Sequence, residues 1–144
     1  MNNHVSETPK GSWETVRFPS KGDSRGELVV VEENRELPFA IKRIYYLIKT
    51  KEGVRRGFHA HRNLDQVLLA ISGSCRVLVD DSYRREEYLL NDCQNGLRIK
   101  NLVWREMFDF SPDCVLLVLA SEIYNEDDYI RNYDEFLRTV RGSV

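Results

Sequence analysis

Cysteine, histidine and long apolar runs are scarce in this 144-residue chain, and each scarcity excludes something. The three cysteines, Cys75, Cys93 and Cys114, are odd in number, widely spaced and without a CxxC or zinc-knuckle pattern. They are expected as free thiols of a reducing compartment, the cytoplasm. The longest apolar stretch, CVLLVLA at 114–120, is far too short to span a bilayer. The opening MNNHVSETPKGSWE lacks the apolar centre of a signal peptide. Neither charge dominates: 21 Lys and Arg face 23 Asp and Glu, for a net charge of -2. Neither a nucleic-acid partner nor a membrane surface is therefore expected.

What is present is enough for one core. A chain of this length forms one domain by the usual prior and needs no covalent staples. Residues 1–12 are polar, carry Pro9 and Gly11, and are expected to be a flexible tail, with a single domain over 13–144. Short apolar or alternating runs follow at 26–32, 39–48, 64–71, 75–80, 87–90, 96–99 and 114–120. Turn formers separate them, among them Asp23-Ser24-Arg25-Gly26, Asn34, Ser72-Gly73 and Ser111-Pro112-Asp113. The pattern predicts an all-β sandwich or barrel. Near the end, Tyr129, Ile130, Tyr133, Phe136, Leu137 and Val140 fall at helical spacing, which predicts an amphipathic helix over 126–140, whole or interrupted near Asn132.

The densest chemistry lies in RRGFHAHRNLDQVLLAISG, residues 55–73. On a strand His59 and His61 project from one face, about 7 Å apart at the backbone, with Phe58 and Ala60 opposite. Such a pair can ligate a metal, transfer protons, or be satisfied polar residues. The segment resembles the first cupin motif, in which HxH is followed after four residues by Glu and after six more by Gly. Gly73 fits, but the Glu position holds Gln66, whose amide is a poor ligand for a divalent ion. A further histidine is expected in LRIKNLVWREM, where Arg105 or Met107 stands instead. No metal is therefore expected, and the pair turns toward proton transfer, the usual work of an imidazole near neutral pH.

The strings SRGELVVVEEN, PFAIKRIYYLI, RGFHAH, DQVLLAISGSCRVLVDD, VWREMFDF and CVLLVLASEIYNEDDYIRNYDEF extend the likeness over residues 13–138. Together they resemble the dTDP-4-keto-6-deoxyglucose 3,4-ketoisomerases, metal-free WxcM-like cupins. The resemblance implies a jelly-roll or β-roll barrel, a homodimer and no cofactor. The implied substrate is dTDP-4-keto-6-deoxyglucose. The product would pass to a PLP-dependent aminotransferase, on the route to 3-amino-3,6-dideoxy sugars of bacterial surface glycans such as O-antigen. It implies His59 as the base at C3, His61 as assistant or relay, and Tyr45 as an active-site tyrosine. Arg25 and Arg105 match positions lining the sugar pocket. Arg25 resembles members that make galacto products and Arg105 those that make gluco products. Gln66, Arg56 and Trp104 are further expected pocket residues, although on a regular strand Arg56 shares Phe58's face and needs a bend or a strand end to turn inward. Three other readings are a related 4-keto sugar epimerase, a metal-dependent cupin oxygenase and a sugar-nucleotide binding module without catalysis.

Overall fold

The computed structural model describes residues 12–33 and 35–142; most of the expected N-terminal tail, with His4, and Asn34 lie outside them. Among the described residues twelve strands form in order: β1 (Trp13–Arg17), β2 (Ser20–Asp23), β3 (Gly26–Val29), β4 (Arg43–Leu47), β5 (Arg56–His61), β6 (Gln66–Ser72), β7 (Cys75–Asp80), β8 (Arg85–Leu90), β9 (Asn95–Ile99), β10 (Trp104–Phe108), β11 (Val115–Ala120) and β12 (Tyr129–Ile130). A 3₁₀ turn (Glu126–Asp128) precedes β12, and the helix α1 (Tyr133–Arg141) follows it. One antiparallel sheet has the order β1-β9-β6-β11-β4 and the other β12-β5-β10-β7-β8, while β2 and β3 make a separate hairpin. The fold is all-β, a cupin-type roll with a short C-terminal helix.

The sequence pattern explains how the layers close. Leu68, Ala70, Val77, Val79, Leu97, Ile99, Leu116 and Val118 point between the sheets and form the central core. Yet β6 reads as a continuous apolar run, because its outer face is buried as well. Val67, Leu69 and Leu119 meet Phe18 and Leu37 there, from the segments leading into and out of the β2–β3 hairpin. The other sheet is covered by the chain's end: Ala60 and Trp104 pack against Ile130 and Phe136. Cys75 and Cys114 are buried free thiols, and Cys93 is an exposed one.

The C-terminal segment departs from the expected helix over 126–140. Asn125 caps only the 3₁₀ turn, accepting a bond from the Asp127 N–H. Tyr129 and Ile130 then extend and pair with His61 and Ala60 of β5. Asn132 starts α1 by accepting the Glu135 N–H at 2.9 Å. Helical spacing persists in the sequence because Ile130 and Phe136 face the same apolar layer from two different elements.

Candidate active site

A cleft of about 490 Å³ opens at one end of the roll, lined by Tyr45, Arg56, His59, Met107, Tyr129 and Arg131 among others. A volume of this order suits a small molecule. Behind the lining sit His61, Gln66 and Arg105, 0%, 1% and 2% exposed.

The two histidines come from the expected alternation along β5, but Arg56 needs an irregularity. Arg105 pairs with His59 and Glu106 with Gly57, so Phe58 is an extra residue on its strand. This bulge uses positive φ at Gly57 and Phe58, 95° and 56°. It turns Phe58 outward and reverses the alternation, placing Arg56 opposite Met107 on the cleft side.

Hydrogen-bond partners fix the state of both imidazoles. His59 Nδ1 lies 3.1 Å from the carbonyl oxygen of Gly57. His61 Nδ1 lies 2.9 Å from Oδ2 of Asp128. A carbonyl and a carboxylate only accept, so each Nδ1 carries the proton and each neutral ring keeps its lone pair on Nε2. The rings meet edge-on with centroids 4.9 Å apart. Burial, then the nearby Arg105 cation, lowers His59 to about 4, with the Gly57 carbonyl opposing. The same two causes, in the same order, push His61 still further down. Both are therefore neutral bases near pH 7.

Arg105 supplies the positive charge. Burial lowers it to about 10, so the guanidinium stays protonated at neutral pH. Its Nη1 donates to Gln66 Oε1 at 2.5 Å and its Nη2 to the Val103 carbonyl at 3.0 Å. Gln66 Nε2 in turn donates to the Tyr45 hydroxyl oxygen at 2.9 Å. The amide thus has its oxygen toward the cation and its NH₂ toward the phenol. The Tyr45 O–H, receiving that bond, is left to donate into the cleft, and burial first of all holds it above the ordinary tyrosine range, hence protonated. Among the described residues no group of three or more His, Cys, Asp or Glu is placed to hold a metal ion.

Two expected pocket residues lie elsewhere within one chain. Arg25 sits on the β2–β3 hairpin, 88% exposed and bound to Asp23 at 2.6 Å, beside a shallow hollow of its own. Trp104 precedes Arg105 on β10 and so faces the other way, onto Phe136 and Tyr133, with Nε1 donating to Glu106 at 2.9 Å. The structure also brings in residues that the sequence pattern did not single out. Arg43, two before Tyr45 on β4, shares its face, and its guanidinium lies 5.3 Å from the Tyr45 ring and 5.8 Å from that of Tyr124. Arg131 stacks on Tyr129 at 4.2 Å and binds Glu126. The mouth thus carries three arginines, Arg43, Arg56 and Arg131, and several aromatic rings, above a floor of neutral imidazoles and a buried cation.

An antiparallel roll of this kind defines a cupin of the sugar-isomerase class. The model of the FdtA (WxcM-like, C-terminal) family matches residues 12–141, and the chain belongs to this family of dTDP-4-keto-6-deoxyglucose 3,4-ketoisomerases; it is an isomerase. The chain is 50% identical over 125 residues to the TDP-4-oxo-6-deoxy-alpha-D-glucose-3,4-oxoisomerase of Aneurinibacillus thermoaerophilus, covering 87% of this chain and 90% of that one. A 3,4-ketoisomerase from Helicobacter canadensis superposes with a TM-score of 0.87 at 47% identity, over 90% of this chain and 97% of that one. A His-to-Asn mutant of the 3,4-ketoisomerase QdtA from Thermoanaerobacterium thermosaccharolyticum, in complex with TDP-4-keto-6-deoxyglucose, superposes with 0.88 at 42% identity, over 91% of this chain and 95% of that one.

Proposed function

We propose that the protein converts dTDP-4-keto-6-deoxy-D-glucose to a dTDP-3-keto-6-deoxyhexose, with His59 as the base. The observation that carries this reading is the state of His59: a neutral imidazole lining the cleft, its Nε2 free, next to a buried cation and a phenol able to donate. The C3–H of a 4-keto sugar is acidified by the neighbouring carbonyl. His59 Nε2 takes that proton, and the electron pair moves onto the C4 oxygen to give an enediolate. Arg105 and Tyr45 offer positive charge and a hydrogen bond to the developing oxyanion, worth most in a dry interior. A proton returns at C4 while the hydroxyl proton passes from O3 to O4, so that the ketone stands at C3 and a hydroxyl at C4. His61 assists this return. Arg43, Arg56 and Arg131 provide positive charge at the mouth, suited to a diphosphate.

The same reading places the product before a PLP-dependent aminotransferase on the way to 3-amino-3,6-dideoxy sugars of surface glycans, in the cytoplasm. It includes a homodimer. In support, β4 is an edge strand whose outer side chains Ile44 and Tyr46 are exposed, as is Ile48 just beyond it. Long apolar edges of this kind are ordinarily covered.

The test is to incubate the protein and substrate with a 3-aminotransferase and to identify the trapped sugar by NMR. Nitrogen at C3 is expected, and the C4 configuration assigns galacto or gluco. A ketone still at C4, with solvent deuterium at C3 or C5, would select an epimerase instead.

A further inference from the structure

The mechanism uses His59, Tyr45 and Arg105 directly but leaves unexplained why His61 is fully buried and what holds it. The answer lies in the segment after β11, which the sequence pattern offered as helix. There the chain makes one 3₁₀ turn and joins the edge of β5 as β12. The turn's last residue, Asp128, is thereby laid against the end of β5 and fastened at three points. Its carbonyl accepts the Arg62 N–H at 2.9 Å. Its Oδ1 accepts the Asn63 N–H at 2.6 Å. Its Oδ2 accepts from His61 Nδ1 at 2.9 Å. The carboxylate is therefore oriented by the backbone before it meets the imidazole. Across the ring, His61 Nε2 is buried and has no partner. A buried, unpaired acceptor normally costs more than about 1 kcal/mol, so a site that keeps one has a use for it.

We infer that Asp128 is a positioning residue for the isomerisation: it holds His61 as the Nδ1–H tautomer, with the Nε2 lone pair turned to the reacting centre. This rests on the ketoisomerase reading. Asp128 does not line the cleft, so it acts through the imidazole. The tautomer matters because a ring with its proton on Nε2 could not accept one there. The carboxylate also matters electrostatically. When His59 takes the C3 proton it becomes an imidazolium close to the Arg105 cation, and the negative charge of Asp128, one ring away, offsets part of that repulsion. Atoms balance within this step: the C3–H bond breaks, an N–H bond forms on His59, and the pair moves to the C4 oxygen without any change at Asp128.

The variant that tests it is Asp128→Asn. An amide keeps an oxygen for the Asn63 N–H, and its NH₂ can donate to His61 Nδ1, which favours the opposite tautomer. The expected result is a fall in kcat of roughly a hundredfold or more, with KM within about threefold, by the logic of a mis-set histidine tautomer. Asp128→Glu, which retains the carboxylate, should recover at least about tenfold over Asp128→Asn. If Asp128 merely fastens the 3₁₀ turn, Asp128→Asn lowers Tm while leaving kcat unchanged, and the inference is overturned. Nitrogen-15 NMR of the unmodified protein provides a readout that needs neither substrate nor a folded variant. His61 should show a protonated Nδ1 and a lone-pair Nε2, and the reverse pattern would overturn the assignment. These results separate from the broader reading: an inactive His59→Asn beside an unaffected Asp128→Asn removes only the inference about Asp128, whereas a fully active His59→Asn removes the reading itself.

Discussion

Gly57→Ala is the substitution whose consequence follows most closely from the bulge. Gly57 has a φ of +95°, and a Cβ built there would lie 2.8 Å from the Arg105 carbonyl oxygen and 3.2 Å from both the Glu106 Cα and the Met107 Sδ. Two of these neighbours are backbone of the paired strand β10, which cannot rotate away. The positive φ alone costs an L-residue roughly 1–2 kcal/mol. Prising β5 from β10 adds a similar amount, for a total of about 3 kcal/mol. In a protein of this size that lowers Tm by roughly 6–12 °C. Gly53→Ala is the internal control, because Gly53 has a φ of +77° and a Cβ there would meet nothing within 4 Å. It should cost only about 1 kcal/mol, or roughly 2–4 °C. Activity should separate the two further. The Gly57 carbonyl accepts the His59 Nδ1–H, so a displaced bulge misaims the base and should lower kcat about tenfold to a hundredfold in the fraction still folded. Thermal melts and steady-state kinetics on both variants decide the matter. Equal Tm losses, or a Gly57→Ala enzyme with unchanged kcat, would refute the role given to the bulge.

Further outcomes follow from the same geometry. His59 must be neutral to act as a base and is lowered to about 4, so kcat/KM should hold its neutral-pH value down to about pH 5 and fall below it; a limb at the ordinary imidazole value of about 6.5 would contradict its buried state. The same depression means that between about pH 6.5 and 4 the unfolded chain binds a proton the native one does not, so His59 lowers stability by up to roughly 3 kcal/mol as pH falls through that window, and His59→Asn should flatten this part of the urea-midpoint profile. Gln66→Leu takes away the side-chain acceptor of the buried Arg105 cation and the donor to Tyr45, and should destabilise by about 3 kcal/mol in chemical denaturation; a variant as stable as the parent would refute the stabilising role given to these two hydrogen bonds. Trp104→Ala should cost about 3–5 kcal/mol of stability yet leave KM within about twofold at a temperature where it is folded, whereas a raised KM with unchanged Tm would return Trp104 to the pocket.

The fold was legible where one period ruled. Alternation in CRVLVD sets Val77 and Val79 apart from the exposed Arg76, and the HxH spacing puts His59 and His61 on one face, whereas the continuous run of β6 does not show which of its residues face the other sheet. Alternation also separates Trp104 from Arg105, so the expectation that both reach the pocket conflicted with the strand that carries them. Arg43 was equally readable, two residues before Tyr45. The Arg56 inversion was not, because a bulge is settled by how β5 pairs with β10, not by local propensity. Asp128 and Tyr129 were hidden for a different reason: acidic residues ahead of spaced aromatics suit a helix start, and only the free edge of β5 makes extended pairing of 129–130 the better outcome. Arg25 shows the converse, a turn residue whose neighbour Asp23 satisfies it at the surface of its own hairpin.

The central claim is that His59, neutral and unpaired at Nε2, removes the C3 proton. His59→Asn keeps a polar side chain of similar size and removes the base. In the aminotransferase-coupled assay the account predicts a loss of at least about a thousandfold in kcat, near the upper range for a general base, while the dTDP-sugar still binds with Kd within about threefold. Full turnover by His59→Asn would contradict it.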